Sequence, residues 1–238
     1  MDIPQDLRSA RHAALGDPVR LGIVDELTVS DCSPTDLRAT FGLESNLLAH
    51  HLSALENVGL IYRSTSSGDA RRRYVHLNRK ALNGLAFGGP APSQCLPYGP
   101  ALFLCTRNSA RSQLAAALWR KLSGSIAESA GTDPAQAIDP RAVAAAKRIG
   151  LVLKATTPRD LSKLKMKPAL VITVCDLVHE DLLQKDLGDQ QQDLKTARWL
   201  HWSVADPVRR GTPQAFDSAV AELTERVSAV LESVGKAT

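Results

Sequence analysis

Apolar residues recur at helical spacing through the first part of the chain. Leu21, Val24 and Leu27 follow Asp17-Pro18 at steps of three, which predicts a helix with Pro at its first position. Ser33-Pro34 predicts the start of a second helix, through Leu37 to Phe41, and Gly42 its stop. Leu48, Leu52 and Leu55 mark the buried stripe of a third helix, Ser45 to Asn57, ended by Gly59. Leu60 to Ser64 and Arg73 to Leu77 read as strands around the tip Ser66-Ser67-Gly68-Asp69-Ala70.

Between residues 83 and 99 the pattern breaks. Gly84, Gly88, Gly89, Pro90, Pro92, Pro97 and Gly99 fall there, a density that sustains neither a helix nor a central strand. Three parts are predicted: a domain over 1–82, a Gly/Pro-rich linker over 83–99, and a domain over 100–238.

The last part alternates strand and helix. Strands are predicted over Ala101 to Leu104, Ile126 to Ser129, Leu170 to Val174 and Trp199 to Val204. Helices are predicted over Ser112 to Leu122, Pro140 to Ile149 and Pro213 to Val234. Leu170 to Val174 is apolar throughout, as in strands covered on both faces. The alternation predicts a doubly wound α/β domain with a four-stranded parallel sheet. The chain therefore reads as multidomain, an α+β domain followed by an α/β domain.

Composition adds limits. Hydrophobic residues make up 44% and charged residues 23% of 238, as in globular proteins. Aromatics are 4%, so aliphatic side chains and Ala must fill the cores. A net charge of +4 permits a polyanionic partner without requiring one. No apolar run approaches the ~18 residues of a membrane span. The first residues lack the basic and apolar regions of a signal peptide, which predicts a cytoplasmic protein. Four cysteines without a CxxC pair suggest neither a disulfide framework nor a zinc site. His50 and His51 are adjacent on a helix and point apart, so no metal site is expected.

Two predicted helices separated by Gly42 have the spacing of a helix-turn-helix. The helix from Ser45 would then be the recognition helix. Opposite its Leu stripe it is predicted to offer Asn46, His50, His51 and Ser53 to base edges or phosphates. Arg71, Arg72 and Arg73 at the hairpin suit phosphate contacts and the minor groove. Leu15-Gly16-Asp17-Pro18-Val19-Arg20-Leu21, Leu48-Ala49-His50-His51-Leu52-Ser53-Ala54-Leu55 and Gly59-Leu60-Ile61 resemble the ArsR-like winged helix-turn-helix repressors. The resemblance covers residues 7 to 82. It implies homodimeric binding of double-stranded DNA, with Ser45, Asn46, His50 and His51 toward the operator and Arg71 to Arg73 on the wing. It also implies release by a metal or metalloid. The arsenic sensors of that family carry paired cysteines, whereas only Cys32 falls near the corresponding helix. One thiolate does not chelate a metalloid alone.

The segment Leu102-Phe103-Leu104-Cys105-Thr106-Arg107-Asn108-Ser109-Ala110-Arg111-Ser112 carries the chemistry of the last part. A buried strand runs into a polar loop that opens a helix. In such a loop the amides of Thr106 to Ser112 turn inward as a nest for a tetrahedral anion. The helix dipole adds to the field, and Arg111 can fork onto two anion oxygens. The same field predicts a Cys105 thiolate, to which Ser112 can donate a hydrogen bond. Asp206-Pro207, after a predicted strand, is placed to supply a general acid.

This part resembles the low-molecular-weight protein tyrosine phosphatases and the arsenate reductases built on that fold, over residues 100 to 235. Cys105, Asn108, Arg111, Ser112 and Asp206 match the family's functional positions. Arg107 stands where a loop glycine is usual, and Ala110 where a cysteine is common. The resemblance implies no bound cofactor. It also implies that Cys175 stands where thioredoxin-coupled reductases keep a second thiol, while position 182, where a third would fall, is Leu. An external thiol such as mycothiol or glutathione, or a redoxin (thioredoxin, mycoredoxin or glutaredoxin), would then supply electrons. Val208-Arg209-Arg210-Gly211 follows Asp206-Pro207 without an aromatic clamp, which favours a small inorganic oxyanion, arsenate or phosphate. The first expectation is an arsenic-responsive regulator fused to a thiol-dependent arsenate reductase. The alternatives are a tyrosine phosphatase tethered to a DNA-binding domain, and a non-catalytic oxyanion sensor controlling DNA binding.

Overall fold

The computed structural model describes residues 4–83, 85, 99–153, 157–184 and 192–233. The chain divides into two compact units, residues 1–66 with 70–94 and residues 67–69 with 95–238. The predicted linker over 83–99 lies outside the described residues, apart from 83, 85 and 99.

The first unit is built from helices and one hairpin. α1 (Gln5–Leu15) precedes α2 (Pro18–Val29). Asp17 caps α2 by accepting from the Arg20 amide at 3.0 Å, and Pro18 occupies the turn where a helix N–H has no partner. Ser33 and Asp36 form a capping box at the start of α3 (Pro34–Phe41). Gly42 ends α3 at φ 62°, a conformation open to glycine. α4 (Ser45–Asn57) follows. β1 (Ile61–Thr65) and β2 (Arg73–Leu77) pair antiparallel with Ile61 opposite Leu77, and α5 (Arg79–Asn83) leads out. Ile23, Leu27, Leu55, Leu60 and Val75 are fully buried at the centre of the core. Cys32 exchanges backbone hydrogen bonds of 3.3 and 2.8 Å with Val75, so it extends the hairpin by one bridge. His76 lies 2.7 Å from Ser64 Oγ through Nε2 and 3.1 Å from Asp31 Oδ1 through Nδ1.

One predicted DNA-facing residue of α4 is misplaced. His51 is buried, and its Nδ1 lies 3.6 Å from Asp17 Oδ1. It stands three residues after Leu48 and four before Leu55, so helix geometry puts it on the apolar stripe.

The second unit holds a parallel sheet. β3 (Ala101–Cys105), β4 (Ala127–Gly131), β5 (Leu170–Thr173) and β6 (Arg198–His201) lie in the order β4-β3-β5-β6. α6 (Arg111–Ser123) follows β3. α7 (Pro140–Arg148) and a short 3-10 turn, Leu161–Lys163, follow β4. α8 (Asp176–Gln184) and α9 (Gln192–Lys195) lie between β5 and β6. α10 (Pro207–Arg210) and α11 (Pro213–Ser233) close the unit. The chain steps outward from β3 to β4 and then back to β5 on the other side. Strand order therefore reverses at the carboxyl end of β3, where open α/β sheets bind ligands. Cys105 is the last residue of β3.

All four strands differ from expectation at their ends: β3 runs one residue further, to Cys105, and β5 stops one residue short, at Thr173, while β4 and β6 shift more. β4 starts at Ala127, after the largely exposed Ile126, and runs on to Gly131. β6 ends at His201, though the Trp202 amide still donates to Thr173 O at 2.8 Å. Phe103, Trp119 and Trp202 are fully buried. The rings of Trp119 and Trp202 each lie 5.9 Å from Phe103, a spacing typical of favourable aromatic pairs. Trp199 is only half-buried, with its Nε1 donating to Leu194 O. α6 is buried from Ser112 to Trp119, and its Ala115-Ala116-Ala117 run lets it lie close against β3, β4 and α11.

Candidate active site

The Cys105 thiol lies 3.0 Å from Ser112 Oγ and accepts from the Asn108 amide at 3.2 Å. The amide belongs to the loop that joins β3 to α6, and the hydroxyl to the first turn of α6. Asn108 has φ 48°, a left-handed backbone that Asn tolerates better than most residues. Its buried side chain holds that turn. Nδ2 donates to Ser112 Oγ at 2.8 Å, and Oδ1 accepts from Gln113 Nε2 at 2.9 Å and from the Arg159 amide at 2.8 Å.

The loop's carbonyls are all tied outside it. Thr106 O accepts from the Asp133 amide at 3.0 Å, Arg107 O from Ala135 at 2.9 Å and Ser109 O from Asp139 at 3.0 Å. Asn108 O accepts from Gln113 Nε2 at 3.2 Å. A peptide's N–H points opposite its C=O, so this anchoring turns the amides toward the loop's interior. Gly131 makes the anchoring possible, since a Cβ there would stand 2.5 Å from Thr106 O.

Arg111, the first residue of α6, donates from Nη1 to Val204 O at 2.9 Å and from Nη2 to Asp206 Oδ2 at 3.0 Å. A guanidinium has five N–H groups, so others remain for an anion. Asp206 caps α10, its Oδ1 accepting from the amides of Val208 at 2.9 Å and Arg209 at 3.4 Å. Arg107 pairs with Asp133 on the surface, both side chains more than half exposed. Ala110 is buried.

Cys175 follows β5 and is buried. Its sulfur lies 3.5 Å from Thr106 Oγ1, next in sequence to Cys105. Burial pushes this thiol's pKa up, and Cys105 adds to that, while the Arg111 charge pulls the other way. Asp176 beside it is held below the usual carboxylate range. Burial opposes this, but hydrogen bonds from His201 and Ser203 outweigh it.

Cys105, Thr106, Asn108, Arg111, Ser112, Cys175 and Asp206 thus meet at one end of the sheet. Gln113, Gly131, Asp139 and Arg159 also support the site, and motif spacing does not reveal them. No signal in the sequence marks Gln113, which follows Arg111 and Ser112 at the polar start of α6. In the other unit, Ser45, Asn46, His50, Arg71 and Arg73 are exposed and Arg72 is half-buried. Among the described residues no group of three or more His, Cys, Asp or Glu could hold a metal ion, and no helix is long and apolar enough to cross a membrane.

The sequence model for the low molecular weight phosphotyrosine protein phosphatases matches residues 101–238, more than half of the chain. The chain belongs to that family. It is an enzyme of the cysteine-nucleophile kind that defines the low molecular weight phosphatases and the arsenate reductases related to them. An arsenate reductase of Brevibacillus brevis is 30% identical over 134 residues, 55% of this chain and 92% of that protein. Two solved structures are similar at TM-scores below one half. The arsenate reductase of Archaeoglobus fulgidus is 25% identical at TM-score 0.45, covering 56% of this chain and 98% of its own. The tyrosine phosphatase Wzb of Escherichia coli K30, in complex with sulphate, is 22% identical at 0.49, covering 58% and 100%.

Proposed function

We propose that the second unit is a thiol-dependent arsenate reductase and the first a DNA-binding regulator responsive to arsenic. The outward anchoring of the four loop carbonyls carries the first part, because it aims the loop amides at one tetrahedral anion. The likeness to the Brevibacillus brevis arsenate reductase supports arsenate as that anion.

Cys105 Sγ attacks arsenic while Asp206 protonates the departing oxygen, which leaves as water and gives a thiol–arsenate adduct. The loop amides and Arg111 hold the oxyanion charge. A second thiolate then attacks Cys105 Sγ. The S–As bond breaks, its electron pair goes to arsenic, and arsenite departs as a disulfide forms. Cys175 is the nearby candidate, and an external thiol or a redoxin returns the disulfide to thiols.

Its burial and raised pKa mean Cys175 must first be exposed and deprotonated. Together with Leu182 at the position of a third cysteine, that favours a second reading, phosphate ester hydrolysis, which needs no second thiol. Cys175→Ser separates the two. Arsenate reduction should fall at least about 10²-fold, while aryl phosphate hydrolysis stays within about twofold. Unchanged arsenate reduction would remove Cys175 from the relay and leave the external thiol as the sole reductant. Wild-type turnover of aryl phosphate without arsenate would select the phosphatase.

In the first unit the exposed Ser45, Asn46 and His50 on α4 and the Arg71–Arg73 run support operator binding by a homodimer. Each phosphate contact adds about 0.9 to the slope of log affinity against log salt. Replacing all three arginines with Ala should therefore flatten that slope on duplex DNA by up to about 2.7. An unchanged slope would take the hairpin off the DNA.

A further inference from the structure

Two side chains outside the anion loop link its two working parts. Asp139 caps α7, and its amide donates to Ser109 O in the Cys105 loop at 3.0 Å. Its carboxylate grips Arg141 in a fork. Oδ1 accepts from Arg141 Nε at 2.9 Å, and Oδ2 from Nη2 at 2.7 Å. Arg141 Nη1 then donates to Gly211 O at 2.9 Å. Gly211 ends α10, the short helix that Asp206 caps, at φ 75°. The guanidinium also lies 5.1 Å from the centre of the Phe216 ring at the start of α11.

We propose that Asp139 and Arg141 form a brace that fixes the Asp206 loop against the Cys105 loop, making Arg141 a positioning residue for the general acid. The inference rests on the reading of Cys105 as nucleophile and Asp206 as acid. One end of the brace is the Ser109 carbonyl and the other the Gly211 carbonyl. Between them stands a bidentate ion pair, which holds direction as well as distance. The Asp139 carboxyl is held below its ordinary range chiefly by the Arg141 hydrogen bonds, so the pair stays charged at neutral pH. The side of Asp206 that faces the anion loop is tied by Arg111. The far end of the same segment is tied by Arg141. Without the second tie, α10 can pivot about Arg111, and an acid displaced by about 1 Å costs roughly 10²-fold.

Proton donation matters most when the leaving oxygen is a poor one, and this gives the test. Arg141→Met keeps the stem over Phe216 and removes the fork. Two aryl phosphates are compared, one releasing a strongly acidic phenol and one a weakly acidic phenol. For the weakly acidic phenol, kcat should fall about 10- to 100-fold. For the strongly acidic phenol it should stay within about twofold. The inhibition constant of inorganic phosphate should not move, since the anion loop keeps its other anchors. Arg141→Lys should recover part of the loss. Amide hydrogen exchange should speed up over residues 206–211 and not over 105–111. Equal losses on both esters with weakened phosphate binding would make Arg141 a support of the anion loop and overturn the brace. Unchanged exchange over 206–211 would overturn it as well, whatever the substrate. If the wild-type protein turned over neither ester nor arsenate while exchange still rose in the variant, the enzyme reading would fail and the mechanical link alone would stand.

Discussion

Replacing Cys105 with Ser is expected to lower turnover of arsenate and of aryl phosphate by at least about 10⁴-fold, with phosphate binding nearly intact. The change swaps sulfur for oxygen at a buried position already lined by Ser112 Oγ and the Asn108 amide. A hydroxyl fits there and keeps a hydrogen bond, so the fold should tolerate it. What disappears is the thiol nucleophile, because a serine hydroxyl is a far weaker nucleophile without an adjacent base. The hydrogen-bond partners of this sulfur are the Ser112 hydroxyl and the Asn108 amide, and neither is a base. The anion-binding amides and Arg111 do not depend on the sulfur, so phosphate should still compete for the loop. Both outcomes are checked by single-turnover assays and phosphate titration on the same preparation. A variant with near wild-type turnover would take the chemistry away from this loop.

The parts of the site readable in the sequence were those made by near neighbours in the chain. Cys105, Asn108, Arg111 and Ser112 lie on one short strand–loop–helix segment, from the end of β3 to the first turn of α6. Asp17-Pro18, Ser33-Pro34 and Gly42 announce helix ends for the same local reason. His51 was misjudged because a stripe of Leu at steps of three and four also claims the position between them. α8 escaped prediction because Glu180 and Asp181 interrupt its apolar positions, yet Val178 and Leu182, four apart, supply a buried face. The Asp139–Arg141 link was out of reach for a different reason. A helix from Pro140 was expected, but the partners of the link, Ser109 and Gly211, meet it only once three loops converge. Cys175 could be named as a second thiol, whereas its burial became visible only with β5 and α8 in place.

Arg111→Lys should lower kcat/KM about 10²- to 10³-fold and, unlike the Cys105 change, weaken phosphate binding with it. The charge is conserved, so any loss measures geometry. Arg111 does two things at once. Two of its nitrogens are engaged with Val204 O and Asp206 Oδ2, and its remaining N–H groups are free for an anion. A lysine ammonium is a single point of three donors and cannot span the carbonyl, the carboxylate and a tetrahedral anion with fork geometry. If it goes to the anion, the Val204 carbonyl and the near end of the Asp206 loop lose their partner, and acid catalysis suffers. If it stays with Asp206, the anion loses its bidentate contact. Either way the loss should fall on phosphate affinity, or on the response to leaving-group acidity, or on both. The pattern identifies which tie matters more. Loss of affinity with unchanged leaving-group response assigns Arg111 to the anion. Unchanged affinity with a steeper response assigns it to the acid. A variant unaffected in both would mean that charge alone suffices and that the fork seen in the fold has no role in turnover.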